Sequence, residues 1–232
     1  MAPHAAGMLA IAMAAVLAIS CSAGPPAAPS ADDAPATAGE PRSAPADEDP
    51  LDLPPVDAVY DLISLAPEDS PRPARTPDVV YVPTPQEVVD AMLEIADVGP
   101  GDVVYDLGSG DGRIPITAAQ RWGTRGVGIE LHPLLVREAN LAAHREGVDD
   151  KVTFIEGDMF ELDLTSATVV TLYLLPDLNL RLRPKLLRLA PGTRIVTHNY
   201  HMGDWVPQRQ RIIGDSVVYY WTVPEEIPAH LR

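Results

Sequence analysis

The chain has 232 residues, a formal net charge of −16 and a single cysteine, which allows one domain of ordinary size plus an appendage and excludes internal disulfides and thiolate zinc sites. The acid excess also argues against a nucleic-acid substrate, because domains that bind one are usually basic. Residues 1–80 hold 14 of the 25 prolines and, with 12 acidic and 3 basic residues, a net charge of −9, which leaves −7 for residues 81–232.

Residues 8–19 are a 12-residue apolar run, too short to span a bilayer and suited to the central region of a secretory signal. Ala18, Ile19, Ser20 and Cys21 follow, and they resemble a bacterial lipoprotein cleavage box. That resemblance implies a leader over 1–21, export, and membrane attachment through an acylated Cys21. The alternative is a chance cysteine in an unprocessed leader and a cytoplasmic protein. Residues 22–56 are Ala, Pro, Ser and acid and read as a disordered tether. Residues 57–80 read as a linker with a short helix at 57–65, and residues 81–232 are long enough for a full core.

Thr84, Pro85, Gln86 and Glu87 read as a capping box, with Thr84 as the cap, Pro85 at the first helical position and Glu87 reaching back. The helix then presents Val88, Val89, Met92, Leu93 and Ala96 at helical spacing. Residues 103–113, VVYDLGSGDGR, read as strand, tight turn and helix, turning through Gly108, Gly110 and Gly112. A dinucleotide fold spaces its glycines as GxGxxG so that a pyrophosphate meets bare amides at a helix N-terminus. Here the third glycine comes one position early, Arg113 stands in its place, and Asp106 and Asp111 repel phosphate. A cationic ligand fits better, and S-adenosylmethionine, with an α-ammonium, a sulfonium and no phosphate, has that chemistry.

Residues 126–129 form a second short strand ending in Glu130, where a carboxylate about 20 residues beyond a glycine turn bonds ribose hydroxyls. A helix from Pro133 shows Leu134, Leu135, Glu138, Leu141 and Ala142 on one face, and a third strand, 152–155, runs into Asp158, Met159 and Phe160. Strand four, 167–173, leads into Leu174, Leu175, Pro176 and Asp177, and strand five, 194–197, into His198, Asn199, Tyr200 and His201. Between them Arg181, Lys185 and Arg188 share a helical face opposite Leu178, Leu182, Leu186 and Leu189, interrupted at Pro184. It reads as a solvated face, with an acidic partner or anionic membrane as the alternative. Residues 211–213 and 217–223, with Gly214 between, close the domain as an antiparallel hairpin. Alternating strand and helix implies a parallel sheet with right-handed crossovers, and ligands bind beyond the carboxyl ends of its strands.

The strand, acid, GSGDG turn and helix in register resemble motif I of the class I S-adenosylmethionine-dependent methyltransferases. From Tyr81 to about Trp205 the chain further resembles the small seven-strand, non-SET protein-lysine methyltransferases. The matching pieces are YVPTP at 81–85, DLGSGDGR at 106–113, GIEL at 128–131 and the Pro176, Asp177 pair. The resemblance implies an α/β fold for residues 81–232: a three-layer Rossmann-like sandwich whose mostly parallel seven-stranded sheet has the order 3-2-1-4-5-7-6 and an antiparallel C-terminal hairpin. It implies S-adenosyl-L-methionine as cofactor, held by Tyr81, Asp106, Gly108, Ser109, Gly110, Asp111, Glu130, Asp158 and Met159. Within that set Asp158 accepts from the adenine amino group and Met159 packs on the ring.

Tyr173, Asp177 and Asn199 are the candidate catalytic residues. Tyr81, Tyr173, Tyr200 and Trp205 are candidates for an aromatic channel that lowers the pKa of a lysine acceptor by desolvation. His198 and His201 flank Asn199 where a general base would sit, although histidines three apart on a strand need a bend to face one way. The sequence after strand four, LYLLPD, is not the DPPY of enzymes that methylate adenine or glutamine amides. Asp177 stands nearly alone, so no metal is expected. The expected activity is N-methylation of a protein lysine by a monomer. The alternatives are a small-molecule methyltransferase, or an exported, lipid-tethered protein that binds a nucleoside or S-adenosylmethionine without turnover.

Overall fold

β1, Val103–Leu107, is buried at every position, as a central parallel strand covered on both faces must be. It pairs in parallel with β2, Arg125–Glu130, and with β4, Val169–Leu172; β2 pairs in turn with β3, Val152–Glu156, and β4 with β5, Arg194–His198. β7, Ser216–Thr222, runs antiparallel to β5, and β6, Arg209–Ile213, closes that edge antiparallel to β7. The order is β3-β2-β1-β4-β5-β7-β6, as the sequence led us to expect. These features come from a computed structural model that describes residues 70–232. The leader, the tether and the helix expected at 57–65 lie outside the described residues.

Helices α1, Gln86–Ile95, α2, Arg113–Trp122, and α3, Pro133–Arg145, cover one face, and α4, Pro176–Leu186, covers the other. Alternation along β1 divides the core between them. Val103, Tyr105 and Leu107 pack with Leu178, Leu182 and Leu186 of α4, whereas Val104 packs with Val88, Met92 and Ile95 of α1. Each fully buried side chain of this size contributes about 1.5 to 3 kcal/mol. The exposed edge strand carries Arg209, Gln210 and Arg211, charges that discourage pairing with another sheet.

Several local expectations are corrected. Thr84 does not cap α1: Pro85 occupies the cap position without a side-chain hydrogen bond, because Thr84 is bonded elsewhere. Leu141 is exposed, and Ala139 and Ala143 join Leu134, Leu135 and Ala142 on the buried face of α3. Small residues there let α3 lie close to α2 and β3. Strand four is shorter than expected and ends at Leu172. α4 runs through Pro184 to Leu186, held down by buried Leu182 and Leu186 on either side of it. Its basic face is not merely solvated either. The Arg181 guanidinium lies 4.1 Å from the centroid of the Phe160 ring, Arg183 pairs with Asp204, and Lys185 donates to the carbonyls of Met159 and Leu162.

Candidate functional site

A cavity of about 480 Å³ lies at the carboxyl ends of the parallel strands, within the range that encloses a small ligand. Residues 73–84 form a strap along one wall, and the glycine turn, the ends of β2 and β3, and Tyr173 and Leu174 form the others. The carboxylates of Asp78, Asp106, Asp111, Glu130 and Asp158 line it against the guanidiniums of Arg75 and Arg113. The balance favours a cation.

Asp106 sits near the end of β1 with 3 % of its surface exposed. Register places it between Gly128 of β2 and Thr171 of β4, and Thr171 Oγ1 donates to its Oδ1 at 2.7 Å. Burial pushes its pKa up to about 7, and the nearby charges of Asp111 and Glu130 push the same way against the Thr171 hydrogen bond. Beyond it the backbone turns through Gly108, Gly110 and Gly112, all with positive φ, a conformation that costs a Cβ-bearing residue about 1 kcal/mol or more. At Gly110 a Cβ would also strike the Tyr81 ring. Ser109, on the cavity wall, has a buried hydroxyl with no hydrogen-bonding partner among the described residues. The excess of carboxylates over guanidiniums along the lining, beside a turn whose backbone lies open to the cavity, fits a cationic nucleoside.

Asp111 plays a different part from the free acid expected. The Arg113 guanidinium grips it, with Nη2 donating to Oδ2 at 2.6 Å and Nε reaching both oxygens at 3.1 Å. Nη1 of the same arginine donates to the Thr84 carbonyl at 3.1 Å, so this buried pair ties the glycine turn to the strap. Tyr81 packs beside it, its phenol pKa raised by burial and by the Asp111 charge.

Glu130, at the end of β2, accepts the Gly110 N–H on Oε2 at 3.0 Å and the His132 N–H on Oε1 at 2.9 Å. Asp158, after β3, accepts the Phe160 N–H on Oδ1 at 2.9 Å and Arg75 Nε on Oδ2 at 2.8 Å. Met159 lines the cavity beside it. Sequence reasoning missed Arg75 and the rest of residues 73–80, which stood inside the expected linker. The signal open to it was a slight one, an Arg and an Asp three residues apart just before YVPTP.

At the β4 end the cavity is uncharged: Tyr173, Leu174 and Leu178 line it. The Tyr173 ring stacks on Tyr200 at 6.4 Å and leans on His198 at 3.9 Å. His198 is buried, with Nδ1 3.3 Å from Thr84 Oγ1 and Nε2 3.0 Å from Ser216 Oγ. Burial lowers its pKa to about 4, so at pH 7 it is neutral and both nitrogens are engaged. Asn199 does supply the bend, with φ +61. It lies outside the cavity lining, and its Oδ1 accepts the Val217 N–H at 2.9 Å. The turn separates the histidines, and the exposed His201 accepts the Gly203 N–H on Nδ1. Asp177 is exposed in the first turn of α4 and does not line the cavity. Trp205 is a core residue whose carbonyl accepts the Trp221 Nε1–H at 2.7 Å, not a wall of the channel.

The family described as ANTKMT methyltransferase domain matches residues 106–209, which run from the buried Asp106 to the start of β6. A protein-lysine N-methyltransferase of Saccharolobus islandicus is 43 % identical over 155 residues, 64 % of this chain and 96 % of that protein. The chain belongs to this family of class I methyltransferases. It is an enzyme, and its methyl donor is S-adenosylmethionine. An adenine nucleotide translocase lysine N-methyltransferase of Mus musculus is 33 % identical over 168 residues, 71 % of this chain and 71 % of that protein. A solved structure from Salinibacter ruber, described as an RNA methyltransferase in complex with S-adenosyl-L-homocysteine, is 56 % identical with a TM-score of 0.64. It covers 65 % of this chain and 99 % of that one. The match thereby extends over nearly the whole of two relatives, those from Saccharolobus islandicus and Salinibacter ruber.

Proposed function

We propose that this methyltransferase modifies the side-chain amine of a protein lysine, with the cofactor in the strap-walled cavity and the acceptor at its β4 end. The observation that carries the reading is the uncharged lining contributed after β4, Tyr173, Leu174 and Leu178, against an otherwise acidic cavity. The bound cofactor supplies an electrophilic methyl on a sulfonium, so that the amine lone pair forms the N–C bond as the C–S bond breaks. Asp106, Glu130 and Asp158 hold and orient the cation. A lysine ammonium with a free pKa near 10.4 must first lose a proton, at about 4 to 5 kcal/mol at pH 7. Tyr173 and its leucine neighbours lower that cost by desolvation, and the proton leaves to solvent, since His198 has no free nitrogen. Alignment of the two reactants supplies much of the remaining rate.

The relatives from Saccharolobus islandicus and Mus musculus are named for lysine methylation, which supports the acceptor class. The name of the Salinibacter ruber protein favours RNA as a second reading. A net charge of −16 opposes it, because RNA affinity is built on phosphate neutralisation by Lys and Arg. The deciding experiment incubates the full chain with methyl-labelled S-adenosylmethionine and a host-cell extract, then separates protein, RNA and small molecules. Label recovered as methyl-lysine after acid hydrolysis of the protein is expected. Label in RNA would establish the second reading, and label in an extractable small molecule would overturn both.

A further inference from the structure

Arg75 takes no part in the steps above, yet it reaches across 83 positions of sequence from the strap to Asp158. Its Nε donates to Asp158 Oδ2 at 2.8 Å, while Nη1 donates to Asp78 Oδ2 at 2.7 Å and to the Thr76 carbonyl at 3.1 Å. The second Asp158 oxygen accepts the Phe160 N–H. The carboxylate is therefore clamped from both sides. Burial alone would raise its pKa, but the hydrogen bonds from Arg75 and the Phe160 N–H outweigh burial and hold it below the usual carboxylate range. An ionised carboxylate has about four acceptor sites and no donor, and two of those sites are filled here. The cavity keeps its volume with the strap seated, so Arg75 walls the site without filling it.

We propose that Arg75 is a specificity-determining positioning residue, which clamps Asp158 as a pure hydrogen-bond acceptor and so selects a nucleoside base bearing a donating amine over one bearing a carbonyl there. This rests on the reading of Asp158 as the partner of the adenine amino group. Without Arg75 the carboxylate keeps only the Phe160 N–H and is free to turn, so its oxygens no longer hold a fixed position against the base. A carboxylate that can swing aside repels a carbonyl-bearing base less than one held in place, and it gives an amine-bearing base a less well aligned acceptor.

The test is calorimetry on the full chain with two probes, S-adenosylhomocysteine and S-inosylhomocysteine, whose base replaces the amine by a carbonyl. The wild type should prefer the adenosyl compound at least tenfold, because a site built around one hydrogen-bond pattern rejects its inverse. Arg75→Ala should narrow that preference threefold or more, and Arg75→Lys should restore part of it. Glu130→Ala serves as a contrast and should weaken both ligands by the same factor. Equal losses for both ligands in a folded Arg75→Ala protein would reduce Arg75 to a structural tie. A gain in S-adenosylhomocysteine affinity would show that Arg75 excludes the base from Asp158. Either result overturns the inference and leaves the site standing. A wild type that binds both probes equally also overturns the inference alone, whereas one that binds neither at millimolar concentration removes the site reading and the inference with it.

Discussion

At Asp106 the fold buries a carboxylate in the wall of the proposed cofactor cavity, and burial raises its pKa to about 7. A bound sulfonium and ammonium favour the ionised form, so binding below pH 7 must expel the Asp106 proton. Affinity for S-adenosylmethionine should fall about tenfold per pH unit below pH 7. Asp106→Asn should flatten this dependence at a lower overall affinity; an affinity constant from pH 8 to pH 6 in the wild type would contradict the assignment. Stability of the cofactor-free protein follows the opposite sign. The folded pKa lies above the ordinary 3.8, so the contribution of this group is lost as pH rises from about 4 to about 7. His198 adds a separate expectation. With its pKa near 4 and both nitrogens engaged, it does not titrate into a base at neutral pH, and kcat/KM should rise with pH above 7 as the acceptor amine deprotonates. A plateau already reached at pH 6 would implicate a base within the protein.

Among the elements, the glycine turn and strap are built for each other. Gly110→Ala combines a φ of +53° with a collision against Tyr81, and should cost about 1 to 3 kcal/mol of stability while unseating the strap. Chemical denaturation and S-adenosylhomocysteine titration would read the two effects, and an unchanged titration would separate the strap from the site. Leu182→Ala, at the fully buried contact of α4 with the sheet, should destabilise by about 2 to 5 kcal/mol. Strand order and helix positions were legible because parallel strands read as apolar runs and each crossover helix opens on a visible signal. The Thr84 capping box was not legible as false. Its hydroxyl and carbonyl go to His198 and Arg113, partners 114 and 29 residues away, and no local pattern announces them. Arg75 was hidden for the same reason, inside a proline-rich stretch without periodicity. Asp106, Glu130 and Asp158 were readable because each sits at or just beyond the end of a strand that can be counted. The engagement of Asn199 with β7 depends on a hairpin packing that spacing alone does not specify.

For the whole molecule, the charge distribution bears on the acceptor. A chain of net charge −16 attracts a basic polypeptide and repels nucleic acid, and exposed charges are screened over about 8 Å at physiological ionic strength. Methyl transfer to a basic protein should therefore slow as salt is raised from about 50 to about 300 mM, and a rate insensitive to salt would place recognition in apolar contacts instead. The claim on which the rest depends is that the strap, the glycine turn and the strand-end acids enclose the cofactor. Isothermal titration of the full chain with S-adenosylmethionine, alongside Asp106→Ala, Glu130→Ala and Asp158→Ala, tests it most directly. Saturable binding is expected, abolished by Asp106→Ala and weakened by about 1 to 3 kcal/mol in each of the other two variants; no binding to the folded wild type at millimolar cofactor, or equal affinity across all four proteins, would show that these elements do not enclose the cofactor.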